Sequence, residues 1–336
     1  MLVTAGVRGP EIHRGGCLAF QVFRPHGLRF DCDLWLLLEK PLHLVSCPTV
    51  NYNSAAMPPE PAAAFPSTSA AAPAEEASVA VEFSVVVPAY NEAGRIGDSL
   101  TAICRYLEQR GQCYEVIPVC DGSTDGSAAE IDAAALRLSR PNGRVHPLHL
   151  NVNEGKGAAV RAGMLRARGA IVMYLDTDLS IPISIAAEFA ACISAGADIA
   201  IASRYLPGSD AGSVRPVRRL LSLAYRQLAA LILGTSFSDL QCGAKAFRRA
   251  AALQLFQRQR LPGFSFDAEV LYLAAQAGWR VAEVPFTLNI SKYSSVRLVV
   301  ASTTMFFDLF RIRLNDLRGI YKPNATEGTA HGGGAI

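Results

Sequence analysis

Two aspartates close the segment Tyr174–Ser180, YLDTDLS, one residue apart, where the apolar run Ala170–Leu175 stops. Carboxylates that close repel unless something positive lies between them. In a strand, residues i and i+2 point to the same side, so Asp176 and Asp178 address one ion if extended backbone persists to Asp178. Hard carboxylate oxygens suit Mg2+ or Mn2+, and Mg2+ commonly joins one or two protein carboxylates to substrate phosphates. The plain alternative is a strand-end turn in which Asp178 caps the next helix.

Two further clusters admit the same double reading. DGSTDGS, Asp121 to Ser127, is a turn and helix cap with Ser123 or Asp125 as the capping residue. It also offers a carboxylate, Asp121 or Asp125, at a strand end, where one can accept a base N–H. NEGKGAAVRAG, Asn153 to Gly163, sets Lys156 between glycines just before a helix. Glycines allow close backbone approach to a phosphate and the helix start favours an anion, although the spacing is not that of a Walker loop. Between residues 82 and 321 the only lysines are Lys156, Lys245 and Lys292, against many arginines. Each lies near a glycine or in what reads as a polar loop, which suggests selection for a compact point charge.

These clusters need a frame to hold them. FSVVV (83–87), YEVIPV (114–119), VHPLHL (145–150), AIVMYLD (170–176) and ADIAIASR (197–204) read as strands. Helical stretches over 92–110, up to Leu138 and up to Arg168 separate the first four. Continuous apolar strands alternating with helices predict an α/β fold with a mostly parallel sheet covered on both faces. Ligands bind such sheets at the carboxyl ends of the strands, and PAYNE, DGSTD, DTD and SRY all fall there. Residues 1–80 do not conform, and 58–80 is a Pro/Ala/Ser linker unable to bury a core. We expect an extension over 1–80, with Met57 as an alternative start, a catalytic domain over 81–321 and a disordered tail over 322–336.

The 336 residues are 50% hydrophobic and 18% charged, with a net charge of +3. That excess is too small to argue for nucleic acid. Eight cysteines show no CxxC pair and six histidines fall in no motif, which disfavours zinc and Ser-His-Asp chemistry and reads as free thiols in a reducing compartment.

In order, PAYNE, DGSTDGS, GKGAAVRAG, DTDLS, SRY, DLQCGAKAF, FDAEVLYLA and VAEVPF resemble a family 2 glycosyltransferase of the GT-A fold. The later motifs are most similar to the polyprenyl-phosphate group, particularly dolichyl-phosphate glucosyltransferases, and the resemblance spans roughly Phe83 to Tyr321. It implies that Pro88, Tyr90, Glu92 and Asp121, with Ser123 and Asp125, hold a nucleotide. Asp176 and Asp178 would hold Mg2+ or Mn2+ on its diphosphate, Lys156 would serve donor phosphates, and Asp178, Asp239 and Gln241 would line the reacting centre. Arg204, Arg219, Lys245 and Lys292 would meet acceptor phosphate. Cys120 stands where the family commonly has aspartate, and Asn289–Ile290 replace the usual EG before Lys292. The implied reaction is inverting transfer of a hexose, from UDP-glucose or alternatively GDP-mannose, to a polyprenyl phosphate. A soluble relative with a sugar or small-molecule acceptor is the other alternative.

A lipid acceptor requires a route to the bilayer, and no window is long and apolar enough to span one. Residues 216–234 place Leu221, Ala224, Leu228 and Leu231 on one helical face, with Arg219 and Arg226 on another. Residues 296–318 place Val299, Phe306, Phe310 and Leu314 opposite Asp308, Arg311, Asn315 and Arg318. Basic amphipathic helices can lie in the membrane interface, or both stripes can pack on the sheet. The expectation is a cytoplasmic protein, peripheral on the cytosolic membrane face. QRQRL (257–261) lacks the tryptophan of a processive synthase's QxxRW, and PAYNEAG is not the glycine-rich loop of a nucleotidyltransferase.

Overall fold

The computed structural model describes residues 81–210, 216–288 and 298–322. Eight strands form one mixed sheet. In chain order they are β1 (Phe83–Ala89), β2 (Tyr114–Asp121), β3 (Gly143–Val145), β4 (Leu148–Leu150), β5 (Ile171–Leu175), β6 (Ile199–Ser203), β7 (Ala244–Arg248) and β8 (Val281–Pro285). The order is β3-β2-β1-β5-β7-β6-β8, with β4 also on β2. The stretch 145–150 is thus two short strands rather than one, both parallel to β2. Strand β7 runs antiparallel between β5 and β6, and β6 therefore runs in the same direction as β5.

The helices are α1 (Ile96–Gln109), α2 (Ser127–Leu138), α3 (Lys156–Arg166), α4 (Ile185–Ser194), α5 (Pro216–Leu233), α6 (Arg249–Arg258), α7 (Phe266–Gln276) and α8 (Leu298–Leu317). Alternate residues of the longer strands serve two cores. Val85 and Val87 of β1 join Ile96, Leu100, Ile131 and Phe189 of α1, α2 and α4. Val86 joins Val160, Leu255, Leu271 and Ile312 of α3, α6, α7 and α8. Strands covered on both faces have no polar side, which is why their sequences read as unbroken apolar runs.

Helix α7 is buried all round from Phe266 to Ala274, including Asp267 and Glu269. Both carboxylates are therefore partnered: Glu269 accepts from Arg260 N, Leu261 N and the Tyr321 hydroxyl, while Asp267 meets Lys245 and Tyr174.

At the amino end of β6, Asp198 accepts from Arg280 N and Nε, both at 3.1 Å, and faces Arg248 Nε at 3.4 Å. Burial would raise its pKa, but the hydrogen bonds and charge of Arg280, with that of Arg248, outweigh this and hold it low. A lowered carboxyl pKa adds stability above the unfolded value and loses it as pH falls through the folded one. Asp198→Asn is therefore expected to lose about 1 kcal/mol of stability at neutral pH, with the difference vanishing in acid. Denaturant melts of both proteins across pH would check this.

The outer helices divide the anticipated apolar stripes. On α5, Tyr225, Ala229 and Leu233 face the core, while Ala224 and Leu231 of the anticipated stripe are exposed. On α8, Leu309 and Ile312 face inward and Phe307, Phe310, Leu314 and Leu317 face out. Leu228 and Phe306 of the anticipated stripes pack against the core, so each stripe straddles the inner and outer faces of its helix. No helix among the described residues is long and apolar enough to cross a membrane.

Candidate active site

Strands β1, β2, β5 and β6 end on one rim, and the polar motifs follow them. The loops after β1 and β2 are laced together. Asn91 N donates to Ser123 Oγ (3.0 Å), Glu92 N to Ser127 Oγ (2.7 Å), Ala93 N to Asp125 Oδ2 (3.1 Å) and Thr124 N to Asn91 Oδ1 (2.9 Å). Asn91 has φ +53°, a left-handed conformation that asparagine tolerates better than most side chains. Desolvation pushes Asp125 up, but hydrogen bonds from Ser127 and Ala93 N together outweigh it and hold its pKa low. Burial raises Glu92 against the pull of Arg95, and the charges of Asp178 and Asp125 add to the rise.

Asp121 is 2% exposed. Its Oδ1 accepts from Glu154 N (2.8 Å), and its Oδ2 from Gly155 N (2.9 Å) and Asn153 Nδ2 (3.1 Å). It thus anchors the loop that presents Lys156. Gly122 has φ +62°, and a Cβ there would lie 2.2 Å from the Val152 carbonyl carbon, so only glycine lets the two loops touch. The choice between Asp121 and Asp125 as a base acceptor takes a different form here. Both carboxylates are engaged by this chain's own groups and shape the loops on which a nucleotide would rest.

The DTD motif is a turn, because β5 ends at Leu175. Leu179 N donates to Asp176 O (3.1 Å), Leu179 has φ +47°, and Ser180 N donates to Asp178 Oδ1 (2.9 Å). The condition that extended backbone persists to Asp178 is not met, and Asp178 does not cap α4, which begins seven residues later at Ile185. Thr177 pins the turn by donating to Pro88 O (2.6 Å) and accepting Ser99 Oγ at its carbonyl (2.6 Å).

Asp176 remains a third exposed, with Oδ1 against Lys156 Nζ at 2.6 Å. Burial raises its pKa, Lys156 opposes, and Asp178 adds a like charge. For Lys156, burial lowers the pKa, but Asp176, Asp267 and Asp178 together raise it. Gly243 supplies the wall: its carbonyl accepts Asp176 N (3.1 Å), and a Cβ on it would lie 2.2 Å from Asp176 Oδ2. Two neighbouring carboxylates, one of them part-buried in a side-chain-free cradle, suit a hard divalent cation whose remaining ligands come from phosphate and water.

On the other side of the rim, Asp239 is 2% exposed and grips Arg204 with both oxygens, to Nε at 2.7 Å and Nη2 at 2.9 Å. Burial would lower the Arg204 pKa, but the hydrogen bonds and charge of Asp239 raise it. Both Asp239 oxygens are thereby engaged by Arg204. Two guanidinium groups approach the Tyr205 ring, Arg226 at 4.7 Å and Arg204 at 5.8 Å from its centre. These residues line one cleft with Ser222, Tyr225 and Gln241.

Lys245 corrects the expectation of a phosphate ligand. It lies in β7, opposite Tyr174 in the sheet register, and is 0% exposed. The polar CGAKAF string read as a loop, but its alanines and phenylalanine form a central strand. Arg219 falls in the first turn of α5, and Lys292 lies outside the described residues. Sequence reasoning missed Gly243, Asp267, Tyr174 and Arg226. Gly243 and Asp267 lay inside DLQCGAKAF and FDAEVLYLA, motifs that carried the resemblance, without their roles being legible there.

A sheet of this order, with donor-type loops on its carboxyl rim, is the GT-A architecture. The structure aligns with glucosyl-3-phosphoglycerate synthase from Mycobacterium tuberculosis, solved with Mn2+, UDP-glucose and phosphoglyceric acid. The TM-score is 0.52 and the identity 21%, covering 73% of this chain and 82% of that one. Mannosyl-3-phosphoglycerate synthase from Rubrobacter xylanophilus aligns with TM-score 0.52 and 19% identity over 75% and 76% of the two chains. Residues 84–256 match glycosyl transferase family 2, and the chain belongs to that family. It is 33% identical over 258 residues to dolichyl-phosphate beta-glucosyltransferase of Saccharomyces cerevisiae, covering 72% of this chain and 77% of that one. The Drosophila melanogaster enzyme of the same name is 34% identical over 74% and 80% of the two chains. Polyprenol monophosphomannose synthase of Mycolicibacterium smegmatis is 32% identical over 71% and 91%.

Proposed function

We propose that this chain is an inverting hexosyltransferase that moves glucose from UDP-glucose to a polyprenyl phosphate, giving a β-linked lipid phosphosugar. The observation that carries it is the pairing of two charge-complementary halves on one rim, Asp176–Asp178–Lys156 for the donor diphosphate and Arg204–Asp239 for an anionic acceptor. Kinship to dolichyl-phosphate beta-glucosyltransferases supports glucose as the sugar.

The nucleotide rests on the laced loops of Pro88–Glu92 and Asp121–Asp125, beside the Tyr90 ring, which is 47% exposed. Asp176 and Asp178 would hold Mg2+ or Mn2+, which would supply positive charge to the departing diphosphate. Lys156 opposes the rise that burial gives the Asp176 pKa and shares the diphosphate's charge. Arg204, aimed by Asp239, draws the acceptor phosphate to the face of the sugar opposite the leaving group. Its oxygen bonds to the anomeric carbon as the bond to the diphosphate breaks, which inverts the centre. A phosphate monoester is already anionic at neutral pH, with its second pKa near ~6, so no strongly tuned base is required. This accords with an Asp239 that orients. The exposed faces of α5 and α8, Leu231, Phe307, Phe310, Leu314 and Leu317, rest on the cytosolic membrane surface.

The test supplies the purified chain with Mn2+, a short polyprenyl phosphate, and UDP-glucose or GDP-mannose in parallel. Lipid phosphoglucose is the expected product. Mannose transfer alone would replace the donor, and donor hydrolysis with no lipid product would remove the acceptor.

A further inference from the structure

We propose that Lys245, buried beneath the rim, is a positioning residue whose ammonium group holds the Asp239–Gly243 loop and so sets the donor and acceptor halves of the site in register. This rests on the transfer reaction proposed above. The ammonium has three N–H donors, and three acceptors meet it: Leu240 O at 3.2 Å, Cys242 O at 2.9 Å and Asp267 Oδ1 at 2.5 Å. The Tyr174 hydroxyl donates to the same Asp267 oxygen, which fixes the carboxylate and, through it, the ammonium.

The two carbonyls bracket Gln241, and the loop they belong to touches both halves. At its start, Asp239 grips Arg204. At its end, the Gly243 carbonyl accepts Asp176 N, and its missing side chain leaves space for Asp176 Oδ2. A shift of this short turn would move the acceptor arginine and the metal-side carboxylate relative to each other. Turn carbonyls have no ladder partner, so a cation below them is a direct way to fix the turn.

Stability alone does not account for the arrangement. Replacing a buried ion pair by apolar residues of similar volume is often neutral or stabilising, so stability gives little reason to keep a lysine at this fully buried position. Arginine would keep the charge, but its planar fork cannot direct three donors as an ammonium does.

The experiment compares wild type, Lys245→Arg and Lys245→Met/Asp267→Leu, the double variant leaving no unpaired buried charge. Thermal melts report folding, calorimetry with Mn2+ and UDP reports the donor half, and product analysis gives the ratio of lipid product to hydrolysed donor. The expected result for Lys245→Arg, which leaves Asp267 in place, is UDP affinity within about twofold of wild type, with kcat for transfer down about tenfold or more and the transfer-to-hydrolysis ratio falling with it. Wild-type kcat and ratio in either variant would overturn the proposal. So would transfer, hydrolysis and UDP binding falling together with the melting temperature, which is the signature of a role in folding alone. Lys245→Arg keeps a partner for Asp267 and gives the same reading where the double variant does not fold. If wild type makes no lipid product with any donor, the transfer reading fails instead, and calorimetry still reports on the donor half.

Discussion

Asp178→Ala is expected to lower sugar transfer about a thousandfold, and Gly243→Ala about a hundredfold, for connected reasons. Asp178 follows Asp176 in a turn pinned by Thr177 to Pro88 O and by Ser99 to Thr177 O. In the proposed site it is the second carboxylate, beside Asp176, facing the cation. Removing it halves the protein's charge on that cation and leaves Asp176 paired with Lys156 alone. Gly243→Ala changes no charge, yet its new Cβ would lie 2.2 Å from Asp176 Oδ2, so the carboxylate must move. The two variants separate chemistry from geometry. Asp178→Ala should weaken the Mn2+ dependence of turnover itself. Gly243→Ala should keep it, at a higher metal concentration for half-maximal rate. Transfer rates measured across a Mn2+ titration check both. A Gly243→Ala enzyme with the wild-type metal profile would mean that Asp176 is not held against that wall.

How much of this was legible beforehand depended on what each residue signals locally. Strands β1, β2, β5 and β6 announced themselves as apolar runs because both of their faces are covered. The rim followed from their parallel direction. Strand β7 did not, since AKAFR is short, carries two cations and runs against its neighbours. A lysine in the middle of a sheet is readable only once Asp267, 22 residues later, is known to lie beside it. The DTD turn was hidden for a similar reason: the residue pattern shows where a strand becomes polar, not where its backbone turns. On α5 and α8 the hydrophobic period was read correctly, but each stripe straddles the inner and outer faces of its helix, and periodicity alone cannot say which residues face the core. Gly243 stood in plain sight inside DLQCGAKAF, and its reason, the Asp176 carboxylate, lies far away in sequence.

The second large effect is expected at Asp239. Asp239→Asn keeps the shape of the side chain but removes the negative charge, and its amide N–H cannot accept the second guanidinium bond. Arg204, one quarter exposed and held by both oxygens at 2.7 and 2.9 Å, would lose its orientation and turn toward water or the Tyr205 ring. If Arg204 is what draws the acceptor phosphate into line, kcat should fall about a hundredfold or more and the acceptor KM should rise. The donor KM should stay near wild type, because Lys156 and the laced loops do not depend on Asp239. Arg204→Gln should do the same, and the double variant should be little worse than either single one, as expected of residues acting as a unit. A base at Asp239 predicts otherwise. Its loss would then lower kcat with little change in acceptor KM, would be additive with Arg204→Gln, and would bring a new pH dependence. Steady-state kinetics on the four proteins distinguish the two, and the observed grip of Asp239 on Arg204 favours the coupled outcome.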